Sequence, residues 1–403
     1  MLYIIGYKKD GTPITIELEK LGISYETQIE DLRYEITDLD QTVINLGQLV
    51  NRHDGQFAGL LSQIAELDQR VAKLEIVPPV DPPVPPVDPP IGNTYYIATD
   101  GLDNNPGSVD KPWKTFESSC KKVSPGDVVF IKDGTYNQSF PLFDVHGNED
   151  NPITFAAVNI GKVILQATKW ACIQAYDSAY VILNGIIFKG GDAVYVSKSH
   201  HIIFNQCTSM DSVGVGVHFS NLDGPSNYNN FQHGFIINAA DEGAYCDCKV
   251  NAPLGSTTDY NQFLFNKIQD CGYEAFQNTN EKAGTVVPNH TVFMGNSCTG
   301  NGHRRSFSIA DVSCGDGLVF DNNELDNNFA DACLYFSGGK DAKIRSNKVI
   351  NNYPSRYSTN VIYVTKSDSP LVTGNQCCGS VIKGNGITLS NCVNPVNEFN
   401  TLC

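Results

Sequence analysis

The sequence has no apolar run long enough to span a bilayer. Its first ten residues, Met1 to Asp10, put their charges behind the apolar patch rather than before it. Neither a transmembrane helix nor a signal peptide is therefore expected. Positive charge is scarce as well: 28 Lys and Arg stand against 44 Asp and Glu, a net charge of −16 over 403 residues. Residues 1–90 hold 15 acidic and 7 basic residues, leaving 29 and 21 beyond, so each part carries −8. That deficit argues against nucleic-acid binding as a main task and against a broadly basic groove for polyanionic sugars, leaving room only for a local basic patch. Zinc-type C-x₂-C pairs are missing too, since Cys246-Asp-Cys248 and Cys377-Cys378 have the wrong spacing, and no metal is assigned. The thirteen cysteines are odd in number and fall mostly at inward strand positions, so a reduced stack packed as small hydrophobes is expected rather than disulfides.

What the sequence does have is a repeat. Between Val181 and Leu402 an Asn returns after apolar residues and before a spacer and an aliphatic or Cys: Asn184, Asn205, Asn266, Asn296, Asn323, Asn347, Asn375 and Asn400, with a weaker member at Asn238. The intervals run from 21 to 33 residues, the signature of a solenoid whose loops leave from fixed corners. A second strand follows each Asn, starting at Asp192, Val213, Glu242, Glu274, Arg305, Asp331, Thr359 and Asn385. Its second position is nearly always small, and its third and fifth are mostly apolar. Short strands at this period, uninterrupted by any helix-period run, predict a parallel β-helix. The Asn column then becomes a structural hydrogen-bond ladder between coils about 4.8 Å apart.

The mainly β solenoid is preceded by two different segments. Residues 1–28 form a short attachment segment in which Asp10-Gly-Thr-Pro13 reads as a turn between two small strands. From Ile29 a 3-4 alternation of apolar residues continues through Ile36, Val43, Val50, Phe57, Ile64 and Val71 to Leu74, predicting an α-helical coiled coil over 29–76 about 70 Å long. β-Branched residues at a with Leu at d favour two strands, whereas β-helix fibres favour three; a homotrimer is expected. His53, at a d position, reads as a register device. Residues 77–92, with eight prolines between Pro78 and Pro90, make an extended polyproline linker.

The head, 93–403, opens with Tyr95 to Gly107, Lys111-Pro-Trp-Lys-Thr-Phe116 and Pro125 to Tyr136. These residues resemble the opening of right-handed parallel β-helix proteins of the pectate-lyase-like superfamily. The resemblance, covering about residues 93–400, implies a capping helix over 111–123 with Trp113 closing the core, preferred here to a sugar-stacking Trp113. A coiled coil and a β-helix head without an export signal also resemble bacteriophage tail fibres and tailspikes, which host lysis releases.

In the strand alignment Glu242, Glu274 and Arg305 occupy one column on consecutive coils. Two carboxylates about 4.8 Å apart approach the roughly 5–5.5 Å of a retaining glycosidase, and crowding like charges would raise one pKa to give an acid beside a base. Asp241, Tyr245, Tyr273, Gln277, His303 and Arg304 lie around the same corner as candidate substrate-binding residues. The insertions 221–233, 249–262 and 279–290 leave from these coils and would wall a groove. The same column would also serve as a structural charge ladder, with Arg305 between Glu274 and Asp331. The superfamily resemblance implies a lyase alternative, with Arg305, Arg304, His303 or Tyr273 near the proton and calcium required only in that case; no lyase family's catalytic residues match position by position. The adjacent His200 and His201 would face opposite sides of a strand and are not taken as a metal pair.

The expectation is a virion-borne phage tail fibre or tailspike, made in the host cytoplasm. Its N-terminus would meet a phage tail or baseplate protein, and its head would recognise host surface polysaccharide, with degradation by a glycoside hydrolase or polysaccharide lyase activity left open, and with no nucleic-acid partner and no membrane insertion. A non-catalytic receptor-binding fibre, a secreted bacterial polysaccharide lyase and a purely structural stalk are the competitors.

Overall fold

The computed structural model describes residues 3–7, 13–17, 92–280, 287–304, 308–313, 315–330, 332–350, 353–354, 360–378 and 386–402. The coiled coil expected at 29–76, the polyproline linker apart from Gly92, and Arg305 lie outside the described residues. Strands Tyr3–Tyr7 and Pro13–Glu17 pair with each other, as the intervening turn residues predict.

From Thr94 to Leu402 the chain winds through three parallel sheets of 12, 11 and 10 strands. One coil shows the plan. Ala179–Asn184 enters the first sheet, Ile186–Lys189 the second and Asp192–Ser197 the third, after which His200–Asn205 returns to the first. This is the parallel β-helix read from the repeat, and its single described helix, Phe116–Cys120, is too short to cross a membrane.

Strict register builds the core. Phe204, Phe231, Phe263, Phe293 and Phe320 fall opposite one another on five successive first-sheet strands, all fully buried. Phe276 of the third sheet meets them from across the core, 4.4 Å from the Phe293 ring. Repeating one large side chain at one position lets each coil bury its apolar face on the next, which no single coil could do alone.

The Asn ladder is real but shorter than the sequence pattern. Asn266, Asn296, Asn323, Asn347, Asn375 and Asn400 form one column at the corner between the first and second sheets. Each amide donates to the next coil's Oδ1, as in Asn323 Nδ2 to Asn347 Oδ1 at 3.0 Å. Asn184 and Asn205 belong to a different column, at the end of the first-sheet strand, where Gln232 continues them. Asn238 is in neither, being exposed at the next corner and donating to Asp211. A second ladder, Asn301 to Asn328 at 2.9 Å, has no counterpart in the expected pattern.

The remaining corner, between the third sheet and the next first-sheet strand, is lined by rings. Tyr180, His201, Tyr228, Tyr260 and His290 all take positive φ, between 52° and 58°, which costs a non-glycine residue about 1–2 kcal/mol. Their rings stack in one column with centroids 4.4–4.9 Å apart, a favourable contact that offsets part of the strain. His201 is buried in this column and His200 is exposed beside it, with their Nδ1 atoms 2.8 Å apart, which corrects the expectation that the two rings face opposite sides.

The first coil is capped as the opening motif implies, by a helix shorter than expected. Thr115 caps Phe116–Cys120 by accepting from the Ser118 amide, and Asp103 accepts from the amides of Lys114 and Thr115. Trp113, 2% exposed, stacks on Tyr95 at 4.5 Å and donates to the Asn105 carbonyl, leaving no face for a sugar. Most described cysteines are free and buried, among them Cys207, Cys246, Cys271, Cys298 and Cys377. Cys378 is disulfide-bonded, which corrects the fully reduced expectation.

Candidate functional site

The outer face of the third sheet carries one side chain per coil: Gln174, Tyr195, His218, Tyr245, Gln277, Asp311, Tyr335 and Tyr363 stand opposite one another in sequence. They point away from the core because the residues on either side, such as Val194 and Val196 or Ala244 and Cys246, point into it. At one end the stripe is aromatic. Trp170, 53% exposed, sets its edge on Tyr195 at 4.9 Å, Tyr195 meets His218 at 5.1 Å, and His218 stacks on Tyr245 at 4.7 Å.

Beside these rings, on the same face, lies a buried charge unit that the sequence did not disclose. Asp247, wholly buried, accepts from Lys249 Nζ at 2.7 Å and pairs with His218 Nε2 at 3.0 Å through the same Oδ2. Burial works to raise its pKa, but His218 and Lys249 outweigh that and bring it down to about 2. The carboxylate therefore stays ionised and holds both basic side chains. The insertions 221–229 and 249–261 fold over this end of the strands, tied together by Asn221 Nδ2 donating to Ser256 O at 3.0 Å and Lys249 N donating to Asn221 Oδ1 at 2.7 Å. They form one wall, as their placement suggested; residues 281–286 of the third insertion lie outside the described residues.

Carboxyls line the opposite side, at the corner where the third-sheet strands begin. Gly243 N donates to Glu274 O at 2.9 Å and Gly216 N to Glu242 O at 2.9 Å, which stacks Val215, Glu242 and Glu274 on consecutive coils. Glu242 and Glu274 are thus brought together as the alignment predicts. Burial, joined by the charges of Glu274 and Asp241, raises Glu242 to about 7 against the opposing pull of its own amide and His218. Glu274 is 6% exposed. Its charge, after burial, raises Asp311 as well, to about 6. Asp192 and Asp241 flank Gly214, where a Cβ would lie 2.2 Å from Asp192 Oδ1 and 3.7 Å from Asp241 Oδ2. Burial first, then Asp241, raises Asp192.

The third member of the expected column is corrected. Phe276 pairs with Ala310 and Gln277 with Asp311, so the stretch at Ser308 and Ile309, three residues past Arg305, lies across from Glu274. A similar slip of two residues placed Val213 where Val215 stands; Val213 is 74% exposed. These two slips are what hid His218 and Asp311. Of the expected substrate-binding residues, Tyr245 and Gln277 are in the stripe, and Asp241 and Tyr273 are half-buried at the acidic corner, with Tyr273 N donating to Asp241 O. His303 and Arg304 are exposed one coil further on, where His303 lies 3.8 Å from Asp270 and packs on Phe329.

Residues 95–306, more than half of the chain, match the family described as Pel9A-like, right handed beta helix region. The chain belongs to the Pel9A-like right-handed β-helix family. This Pel9A-like chain is 28% identical to pectate lyase L of Dickeya dadantii (strain 3937) over 129 residues, 28% of the chain and 30% of that protein. It spans less than a third of the length of the curated relatives it matches. Among solved structures it is similar to an alginate lyase from Paenibacillus sp. str. FPU-7, with a TM-score of 0.51 and 16% identity over 74% of this chain and 98% of that one. It is also similar to a structure titled glycoside hydrolase, with a TM-score of 0.52 and 10% identity over 77% and 96% of the two chains. Such likenesses are of fold, and the fold is shared by polysaccharide lyases and glycoside hydrolases alike.

For the Pel9A-like head the donor set bears on calcium. Among the described residues no three His, Cys, Asp or Glu side chains converge as a metal-ion site requires, and the Asp192–Asp241 pair is too few. The residues present do not fit a calcium ion, and no chemical step is routed through one. What this face of the Pel9A-like head offers is acid–base chemistry: a carboxyl titrating near neutrality beside a second acid, at the edge of a row of rings.

Proposed function

We propose that this chain is a phage tail fibre or tailspike whose head binds host surface polysaccharide along the outer stripe of the third sheet and hydrolyses it. The observation that carries the proposal is Glu242, whose carboxyl titrates near 7 while in register with Glu274 one coil away. Glu242 serves as general acid, protonating the leaving glycosidic oxygen. Glu274, about 4.8 Å along the stack, is placed as the partner carboxylate of a double displacement. Asp311 and Gln277 position the sugar beyond the cleaved bond, and Tyr245 and Trp170 support the units before it. Residues 29–76 would make the fibre a homotrimer and residues 1–28 would join it to the tail or baseplate, placing the protein in the virion.

Elimination is the second possibility, favoured by the match to a protein named pectate lyase L. On this chain Lys249 and His218 are the basic side chains nearest the rings, and both are tied to the Asp247 carboxylate. The test is incubation with host capsule or surface polysaccharide, following reducing ends together with absorbance near 235 nm. Reducing ends without absorbance support hydrolysis. Rising absorbance means an unsaturated product and removes Glu242 as acid; binding with neither signal leaves a receptor-recognition fibre.

A further inference from the structure

Building on the reading of the third-sheet face as a glycan surface, we infer that its earliest coils carry a remote sugar-binding platform of Phe143, Trp170, Gln174 and Tyr176, through which the head holds long chains. Strands Phe140–Phe143 and Ala171–Tyr176 lie side by side with Phe143 opposite Tyr176. Phe143 is 44% exposed and meets the Tyr176 ring edge-on at 6.1 Å. Trp170, 53% exposed, stands at the other end of the second strand. Between them Gln174 is half-buried, and its amide has no partner among the described residues. Lys198 closes the Tyr176 side, its Nζ 5.1 Å from the ring centre and 2.6 Å from Asp177 Oδ2.

The chemistry of this cluster selects its occupant. Both large exposed side chains here are rings, and a flat π face suits the C–H face of a pyranose. The free amide between them suits its hydroxyls. An aliphatic protein surface would cover the Gln174 amide without pairing it, which weakens binding. Position points the same way. From the Phe143 strand to the Tyr245 strand the face passes through four pairings, roughly 19 Å at about 4.8 Å per coil. A pyranose unit is about as long as one coil is tall. An axial glycan with its reacting bond at Glu242 therefore lays a sugar on the platform about three or four units away. Tyr195 and His218, 6% and 8% exposed, leave the units between with little to rest on. Affinity then comes from the two ends of the face, and a short fragment engages only one of them at a time.

The chain has two tryptophans, and Trp113 is 2% exposed, so iodide quenching of the full chain reads Trp170. The probes are trisaccharides and octasaccharides cut from polygalacturonate, from alginate and from host capsule or surface polysaccharide, with Kd measured alongside by calorimetry. Where a probe is cleaved, the Glu242→Gln chain takes the place of the native one. Iodide should quench the free chain. An octasaccharide that binds should shield Trp170 and bind about tenfold or more tighter than its trisaccharide, and Phe143→Ala should weaken the octasaccharide about tenfold. Should that variant fail to fold, Trp170→Ala, at an exposed position, supplies the same calorimetric readout. An octasaccharide that binds while Trp170 stays as quenchable as before, or that gains nothing over its trisaccharide, overturns the inference and leaves the polysaccharide reading standing. A free chain that iodide does not quench also overturns it, because protein then covers the platform. Binding to none of the probes overturns the polysaccharide reading, and this inference falls with it.

Discussion

Glu242 and Asp247 lie within one strand and its corner, yet the fold drives their acidities apart. Glu242 holds its proton up to about 7, so as general acid it loses activity as pH rises through that value, and Glu242→Gln should lower kcat by about 10²-fold or more. Unchanged kcat in that variant would remove it from the mechanism. The same shifts act on stability with opposite signs. Between its ordinary 4.5 and about 7, folded Glu242 binds more protons than the unfolded chain, so its contribution declines as pH rises across that window. Asp247 stabilises fully above its ordinary 3.8 and loses that contribution as pH falls toward 2. Thermal melts should therefore show a maximum on the acidic side of neutrality, and a flat profile from pH 4.5 to 7 would contradict the Glu242 assignment. Asp247→Asn should cost about 3 kcal/mol in urea denaturation, because His218 and Lys249 lose the anion they share.

At the scale of the coil, side-chain ladders hold what the short strands cannot. Asn323 both donates and accepts within its column and also donates to the Phe293 carbonyl, so Asn323→Leu should cost about 2–3 kcal/mol by leaving those groups unpaired. Phe293→Ala, which opens a cavity between Phe263, Phe276 and Phe320, should cost about 3–5 kcal/mol. A larger loss for Asn323 than for Phe293 in parallel denaturation curves would reverse that ranking. The β-helix was legible in the sequence because Asn and the aliphatic that follows recur at one corner. The register of individual strands was less so: Val213 and Val215 present the same small-apolar alternation, and only backbone pairing separates them. Slips of two and three residues move a different side chain into each outward position, so His218 and Asp311 stayed hidden while Glu242 and Glu274, on rungs aligned correctly, were found. The His218–Asp247–Lys249 unit joins two coils across an insertion, and no spacing within either strand encodes that contact.

For the whole molecule, the expected stalk sets the mass in solution. Light scattering on the full chain should give three times the 44.0 kDa chain mass, and twice that mass would favour the β-branched rule for two-stranded coiled coils. The charge of −16 disfavours non-specific association of copies with one another and with anionic surfaces.

The five stacked rings from Tyr180 to His290 have a consequence for light. Imidazoles do not absorb near 280 nm, so the coupled pair is Tyr228 and Tyr260, whose rings lie 3° from parallel with centroids 4.8 Å apart and should give a near-ultraviolet circular dichroism band that isolated tyrosines do not. Because the two rings come from neighbouring coils, the band reports whether those two coils remain in phase, and Tyr228→Leu should abolish it while leaving the far-ultraviolet β signal intact.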